Sequence, residues 1–163
     1  MSIFVIVILT EVLEIRLFQM TKRKKLSPDP NFDTTKYVVL IIDDEPNWLT
    51  LLRIVFERAG FRRIVTALNG DAVFHILDQQ TPDIIITNIN LPDIDGINLC
   101  RILRSRPDTK DIPILIHSAR GDPDSIQAGL AAGANEYLCK PTPPDKIVQT
   151  VTSLLKKKWN GAD

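Results

Sequence analysis

The sequence predicts a doubly wound α/β domain: one sheet of five parallel strands with helices on both faces. Two observations carry this. Short apolar runs alternate five times with longer segments whose apolar residues recur at helical spacing. The central runs are apolar throughout, as in strands buried on both faces, and short connections between strand and helix imply a parallel sheet. A chain of 163 residues suits one domain with a tail.

Taken in order, Val38-Val39-Leu40-Ile41-Ile42 is the first strand, and Asp43-Asp44-Glu45 follow it directly. Three adjacent carboxylates repel one another unless solvated or paired with a cation. Pro46 suits the first turn of a helix in which Leu49, Leu52, Val55 and Phe56 recur, with Gly60 ending it. Ile64 to Ala67 is a short second strand. Asn69 is placed to cap a helix carrying Ala72, Val73, Ile76 and Leu77. The third strand, Ile84 to Ile86, ends at the polar Asn88. The turn residues Leu91-Pro92-Asp93-Ile94-Asp95-Gly96 lead into a helix with Ile97, Cys100, Ile102 and Leu103, closed at Arg106-Pro107. Ile112 to Ile116 is the fourth strand, ending in His117-Ser118-Ala119. Asp122 or Asp124 begins a helix through Ile126, Ala128 and Leu130 that stops near Gly133. Glu136-Tyr137-Leu138-Cys139 is the fifth strand, closed by Lys140-Pro141. The last helix starts near Pro143-Pro144 and buries Ile147, Val151, Leu154 and Leu155.

The domain organisation expected is an extension and linker over residues 1–36, the domain over 37–158, and a tail over 159–163. The apolar run Ile3 to Leu9 is interrupted by Glu11, Glu14 and Arg16, well short of the roughly 20 apolar residues that span a bilayer. It lacks the basic start and small-residue cleavage site of a secretory signal. Residues 1–19 therefore read as the product of an upstream start codon, with Met20 as the ordinary start. An amphipathic helix with Ile6, Leu9, Leu13 and Leu17 on one face is the second reading, and a membrane anchor the third. Residues 22–36 read as a flexible linker whose basic run, Lys22 to Lys25, is solvated.

Lys plus Arg and Asp plus Glu number 20 each, so net charge makes no case for nucleic acid. Cys100 and Cys139 have no metal-ligand or CxxC spacing and read as reduced thiols of a cytoplasmic protein; a reactive Cys139 beside Lys140 is the minority reading. His75 and His117 lack ligand partners at metal spacing. Asp93 and Asp95 resemble a calcium-loop fragment, but the loop lacks the acid at its first position and the Glu at its twelfth, so turn and cap duty explains them.

Four strand ends carry polar groups: Asp43 and Asp44 on the first, Asn88 on the third, Ser118 on the fourth and Lys140 on the fifth. In an open α/β sheet such ends share one crevice. Two carboxylates, a hydroxyl and an ammonium suit a hard cation with a phosphoryl group: Mg²⁺ takes one or two carboxylates, lysine a phosphate charge, and serine a phosphoryl oxygen.

With these residues in place, the stretch 37–158 resembles the receiver domain of two-component response regulators. Leu40-Ile41-Ile42-Asp43-Asp44-Glu45 matches the family's acidic pair, and Asn90-Leu91-Pro92-Asp93-Ile94-Asp95-Gly96 the loop after its third strand. Ile116-His117-Ser118-Ala119 matches its Ser/Thr switch position. Gly133 through Pro141 matches its aromatic switch, Tyr137, and its lysine, Lys140, usually joined to proline by a cis bond. The resemblance implies a flavodoxin-like (βα)5 fold, a role in phosphorelay signalling, and Mg²⁺ held directly by Asp44, through water by Asp43, and by the backbone carbonyl of Asn90. The departure is Asn88, which stands where the family has the aspartate that accepts a phosphoryl group from a histidine kinase. An acyl phosphate needs a carboxylate nucleophile, and an amide oxygen is a poor one. The expectation is a pseudo-receiver with weakened Mg²⁺ binding, in which Lys140 bonds Asp43, Asp44 or the Asn88 amide oxygen.

The expected function is that of a stand-alone receiver-like, non-enzymatic protein. It binds a histidine kinase or another signalling protein through its fourth helix, fifth strand and fifth helix, with no direct contact to nucleic acid or membrane. One alternative moves phosphate acceptance to Asp43 or Asp44. Another is a small-ligand or nucleotide-binding flavodoxin-like domain or enzyme. A phosphate-binding glycine loop should then follow the first strand, where Asp43-Asp44-Glu45-Pro46 stands instead. A dehalogenase-type phosphatase would need Asp-x-Asp there.

Overall fold

The computed structural model describes residues 32–160. The readings of residues 1–19, of the basic run and of most of the linker fall outside the described residues.

Five strands, β1 (Val38–Ile42), β2 (Arg63–Ala67), β3 (Ile84–Thr87), β4 (Ile114–Ser118) and β5 (Glu136–Cys139), alternate with five helices. These are α1 (Pro46–Arg58), α2 (Gly70–Leu77), α3 (Gly96–Ser105), α4 (Pro123–Ala131) and α5 (Pro144–Asn160). The strands form one parallel sheet in the order β2-β1-β3-β4-β5. This is the flavodoxin-like (βα)5 arrangement that the alternation and the resemblance imply. Chain order reverses at β1, so the crevice opens between the carboxyl ends of β1 and β3. The register pairs Ile42 with Thr87, and the Asn88 N–H donates to the Ile42 carbonyl at 2.8 Å, bringing Asp43 and Asn88 side by side.

Two cores flank the sheet. Leu49, Leu52, Val55 and Phe56 of α1 and Ile147, Val151 and Leu155 of α5 cover one face. Val73 of α2 with Leu99, Cys100 and Leu103 of α3 cover the other. Ile102 and Leu130, though part of the apolar pattern of their helices, are exposed. Ile102 sits two residues from Cys100, about 200° round a helix, and so faces away from the sheet.

The helix starts are made as the turn residues predict. Asn69 Oδ1 accepts the Ala72 N–H at 2.8 Å, Asp95 Oδ1 accepts from Ile97 at 2.8 Å, and Asp122 Oδ1 accepts from Ser125 at 2.8 Å. Asp93 caps a helix other than the one it precedes: its two oxygens accept the Gly70 and Asp71 N–H groups at 2.8 Å each, tying the loop after β3 to the start of α2. These bonds hold its carboxyl below the usual range. Gly60 and Gly133 follow their helices with φ of 95° and 103°, the left-handed region that glycine enters freely.

Residues 33–36, expected to be linker, are part of the folded unit. Thr34–Lys36 is a single 3₁₀ turn capped by Asp33, with Thr34 buried. Phe32 stacks on Tyr37 with ring centroids 5.0 Å apart, and Phe32 packs on the α1/α5 core. At the other end α5 continues to Asn160, past the expected domain end at 158. No helix among the described residues is long and apolar enough to cross a membrane.

Candidate functional site

The crevice residues come from four separate strand ends: side-chain bonds pair Lys140 with Asp43 and Asn88 with Asp44, while the Ser118 hydroxyl bonds Arg120 just beyond the end of its own strand. Asp43, just after β1, is 2% exposed. Its Oδ2 receives the Lys140 ammonium at 2.6 Å, and its Oδ1 accepts the Glu45 N–H at 3.1 Å. Burial lifts the Asp43 carboxyl above the ordinary carboxylate range, against the downward pull of Lys140. Of the three partners open to Lys140, the fold selects Asp43. The Lys140–Pro141 bond is cis, as the resemblance implies. The Lys140 side chain runs under Trp48 of α1, with Nζ 4.5 Å from the ring centroid.

Asn88 is 5% exposed, and its side chain makes three hydrogen bonds. Its Oδ1 accepts the Ile89 N–H at 2.8 Å; its Nδ2 donates to Asp44 Oδ1 at 3.0 Å and to the Asn90 carbonyl at 3.2 Å. This orientation follows from chemistry. A backbone N–H requires an acceptor opposite it, and a carboxylate and a carbonyl require a donor, so oxygen and nitrogen cannot exchange places. The amide therefore faces the two oxygens assigned to a cation from the resemblance. Gly96 makes this approach feasible: α3 begins so close to the end of β3 that a Cβ on Gly96 would lie 2.2 Å from the Asn88 carbonyl oxygen.

Ser118 is fully buried at the end of β4. Its hydroxyl accepts the Arg120 N–H at 3.3 Å and lies beside the Tyr137 hydroxyl, which donates to the Arg120 carbonyl. Tyr137 is turned inward, 8% exposed, with its ring against Gly129 and Ile116. Burial raises its phenol above the usual range. Arg120 also reaches Asp95 at 3.8 Å.

Asp43, Asp44 and Glu45 can present carboxylate oxygens within 4.8 Å of one another, the donor chemistry of a hard cation. The oxygens in question are engaged, however: Asp44 Oδ1 and Asn90 O by the Asn88 amide, Asp43 Oδ2 by Lys140.

Trp48 escaped the sequence reading, and so did the burial of His117 beside it. Trp48 covers Lys140, and its ring meets that of His117 edge to face, with centroids 5.5 Å apart. His117 is 1% exposed, and both ring nitrogens lack a hydrogen-bond partner. Burial, aided by the Lys140 charge, pushes its pKa down to about 3, so it is a neutral core residue. The only available signal was position: a residue on β4 next to Ser118 that must face the α1/α5 core. His75 is exposed and bonded to Gln79 at 3.0 Å. Cys100 is buried, its thiol pushed up to about 11, and Cys139 is exposed; both are free thiols.

Residues 39–152 match the family described as response regulator receiver domain. The chain is 36% identical over 119 residues to the phosphate regulon transcriptional regulatory protein PhoB of Rhizobium meliloti, covering 73% of this chain and 52% of that protein. It is 30% identical over 125 residues to the DNA-binding response regulator MtrA of Mycolicibacterium smegmatis, covering 77% and 53%. The chain thus matches about half the length of these relatives. Among solved structures it is similar to the chemotaxis response regulator CheY4 of Vibrio cholerae, with 26% identity, TM-score 0.67 and coverage of 72% of this chain and 98% of that one. It is also similar to a Francisella response regulator receiver domain, with 28% identity, TM-score 0.69 and coverage of 75% and 98%.

Proposed function

We propose, from the premise that this chain belongs to the response regulator receiver family of two-component signalling, that its domain signals by protein contact from one resting state, without forming an aspartyl phosphate. The observation that carries this reading is the bridge from the Asn88 amide to Asp44 and Asn90. Phosphoryl transfer from a phosphohistidine requires a carboxylate oxygen to attack phosphorus as the P–N bond breaks. Asn88 offers an amide oxygen, and that oxygen is bound to the Ile89 N–H. The amide nitrogen supplies the positive end of a dipole where a cation would otherwise face Asp44 and Asn90.

Mg²⁺ belongs to this reading as a weak ligand. It would be held by Asp44, the Asn90 carbonyl and, through water, Asp43, and would neutralise charge around a phosphoryl group. To enter, it must displace the amide. The fixed state is supported by the way Ser118 and Tyr137 both bond the backbone of Arg120, with Tyr137 packed inward. The partner is a histidine kinase or another signalling protein, met on the face of α4, β5 and α5. The domain itself performs no catalysis. The balanced charge of the chain supports protein over nucleic acid as what it touches, and the reading has it act in the cytoplasm.

One alternative has an observation of its own: Asp44 is exposed and keeps a carboxylate beside Asn88, so it is the better placed of the two substitute acceptors. Asp43 is buried and ion-paired. Intact mass after incubation with Mg²⁺ and a small phosphodonor separates the readings. Gain of a phosphoryl group by Asn88→Asp alone supports the proposal. Gain by the unaltered protein, abolished by Asp44→Asn, would move the chemistry to Asp44 and overturn it.

A further inference from the structure

At the opposite end of the same strands lies a cavity of about 430 Å³. It is lined by Arg104, Lys110, Lys157 and Lys158, with Pro113 and Leu154 as apolar wall and Asp111 as the one acid. We propose that this cavity binds a small organic phosphate. The inference does not depend on the state of the crevice.

Among the described residues, positive charge gathers here in excess of the carboxylate that faces it. The chain as a whole is balanced, yet here four cations face one carboxylate. The Arg104 guanidinium is held rigid by neutral acceptors alone. Its Nε donates to the Gly133 carbonyl at 2.9 Å, its Nη1 to the Lys110 and Ile112 carbonyls at 3.0 and 2.8 Å, and its Nη2 to Asn135 Oδ1 at 2.8 Å. Among the described residues, none of Lys110, Lys157 and Lys158 forms an ion pair. Arg104 lies in the last turn of α3 and Lys157 and Lys158 in the last turn of α5, so helix dipoles account for part of the pattern. Each dipole end is worth only about half a charge, less than the excess.

The shape decides the class of anion. The volume is in the range of pockets that hold small molecules, about 300–1,000 Å³. A single concavity suits a small molecule better than the extended backbone of a nucleic acid. Lysine ammonium groups serve as point charges for phosphate. Pro113 and Leu154 would cover the organic part, which inorganic phosphate lacks.

The test is calorimetric titration of the full chain with ATP and, separately, inorganic phosphate, in EDTA so that no cation bridges ATP to the crevice. The expected result is saturable one-to-one ATP binding that Lys157→Ala/Lys158→Ala weakens roughly tenfold or more with unchanged melting temperature. Arg62→Ala/Arg63→Ala, the same charge change at the β2 edge of the sheet, should leave binding intact. Three results would each overturn the proposal: no saturable ATP binding; equal weakening by both double variants, which marks diffuse charge; or inorganic phosphate binding as tightly as ATP. A single-stranded oligonucleotide binding more tightly than ATP would assign the surface to nucleic acid instead.

Discussion

The two ends of this sheet treat charge in opposite ways. At the carboxyl ends of the strands, the buried Asp43 has Lys140, and Asp44 and the Asn90 carbonyl share the amide of Asn88. At the amino ends, three lysines have no carboxylate partner among the described residues, and Arg104 is bonded only to neutral oxygens. A crevice whose polar groups already satisfy one another gains little from a ligand and costs much to disturb. Lysines with no carboxylate partner contribute little to the fold, and under the proposal above their charge is available to a ligand. Residue type alone would have suggested the reverse, because the crevice carries the acids and lysine of a phosphoryl site.

Substitutions at the two ends should therefore differ most in stability. Lys140→Met leaves Asp43 buried and unpaired, and should cost about 3–5 kcal/mol at pH 7 by urea unfolding. The loss should shrink as pH falls, because protonating Asp43 removes the stranded charge. The double variant Asp43→Leu/Lys140→Met should recover most of it. A single Lys140→Met cost under about 1 kcal/mol would place this pair with exposed ones and erase the contrast.

Gly96→Ala tests how rigidly the crevice is built. The new Cβ would meet backbone, the Asn88 carbonyl oxygen at 2.2 Å and Ile89 Cα at 2.8 Å, neither of which can rotate away. A loss of about 1–3 kcal/mol is expected, together with displaced amide resonances at Asn88 and Ile89 in NMR spectra.

His117 gives the crevice end a pH dependence. Its folded pKa, about 3, lies below its ordinary value of 6.5, so the unfolded chain takes up the proton first. The stability involved is whole above pH 6.5 and is lost as pH falls from 6.5 towards 3, by up to about 1.4 kcal/mol per pH unit. Between pH 6.5 and 5 this is about 2 kcal/mol, read from denaturation midpoints. His117→Leu should flatten that slope, and an unchanged slope would assign it to other groups.

Smallest of all should be the stability effect of Lys157→Ala/Lys158→Ala at the other end, within about 0.5 kcal/mol. A larger loss would mean that these lysines support the fold, and would narrow the difference between the two ends.

What could be read from the chain alone follows the same division. Val38–Ile42 and Ile84–Thr87 are apolar runs that end in polar residues, so strand, burial and crevice position were all visible along one stretch. The choice of Asp43 by Lys140 was not, since spacing leaves Asp43, Asp44 and Asn88 equally open and only the direction in which β5 delivers the lysine decides. Nor could the hold of Asp93 on α2 be foreseen, because its partners lie 22 and 23 residues earlier. The contacts of the Trp48 ring with Lys140 and His117 are tertiary and leave no periodic trace. The basic cavity draws on Arg104, Lys110, Asn135 and Lys157, each an ordinary residue at a helix end or loop until the sheet gathers them.

If the Asn88 amide stands in the place of a cation at Asp44 and Asn90, its removal should open the site, which calorimetric Mg²⁺ titration of the unaltered protein against Asn88→Ala measures. Alanine adds no negative charge, but it removes the donor that engages Asp44 and Asn90. Asn88→Ala should bind Mg²⁺ more tightly than the unaltered protein. Equal or weaker binding by the alanine variant would show that the amide does not compete with the cation and that the bridge from Asn88 to Asp44 and Asn90 does not close the site.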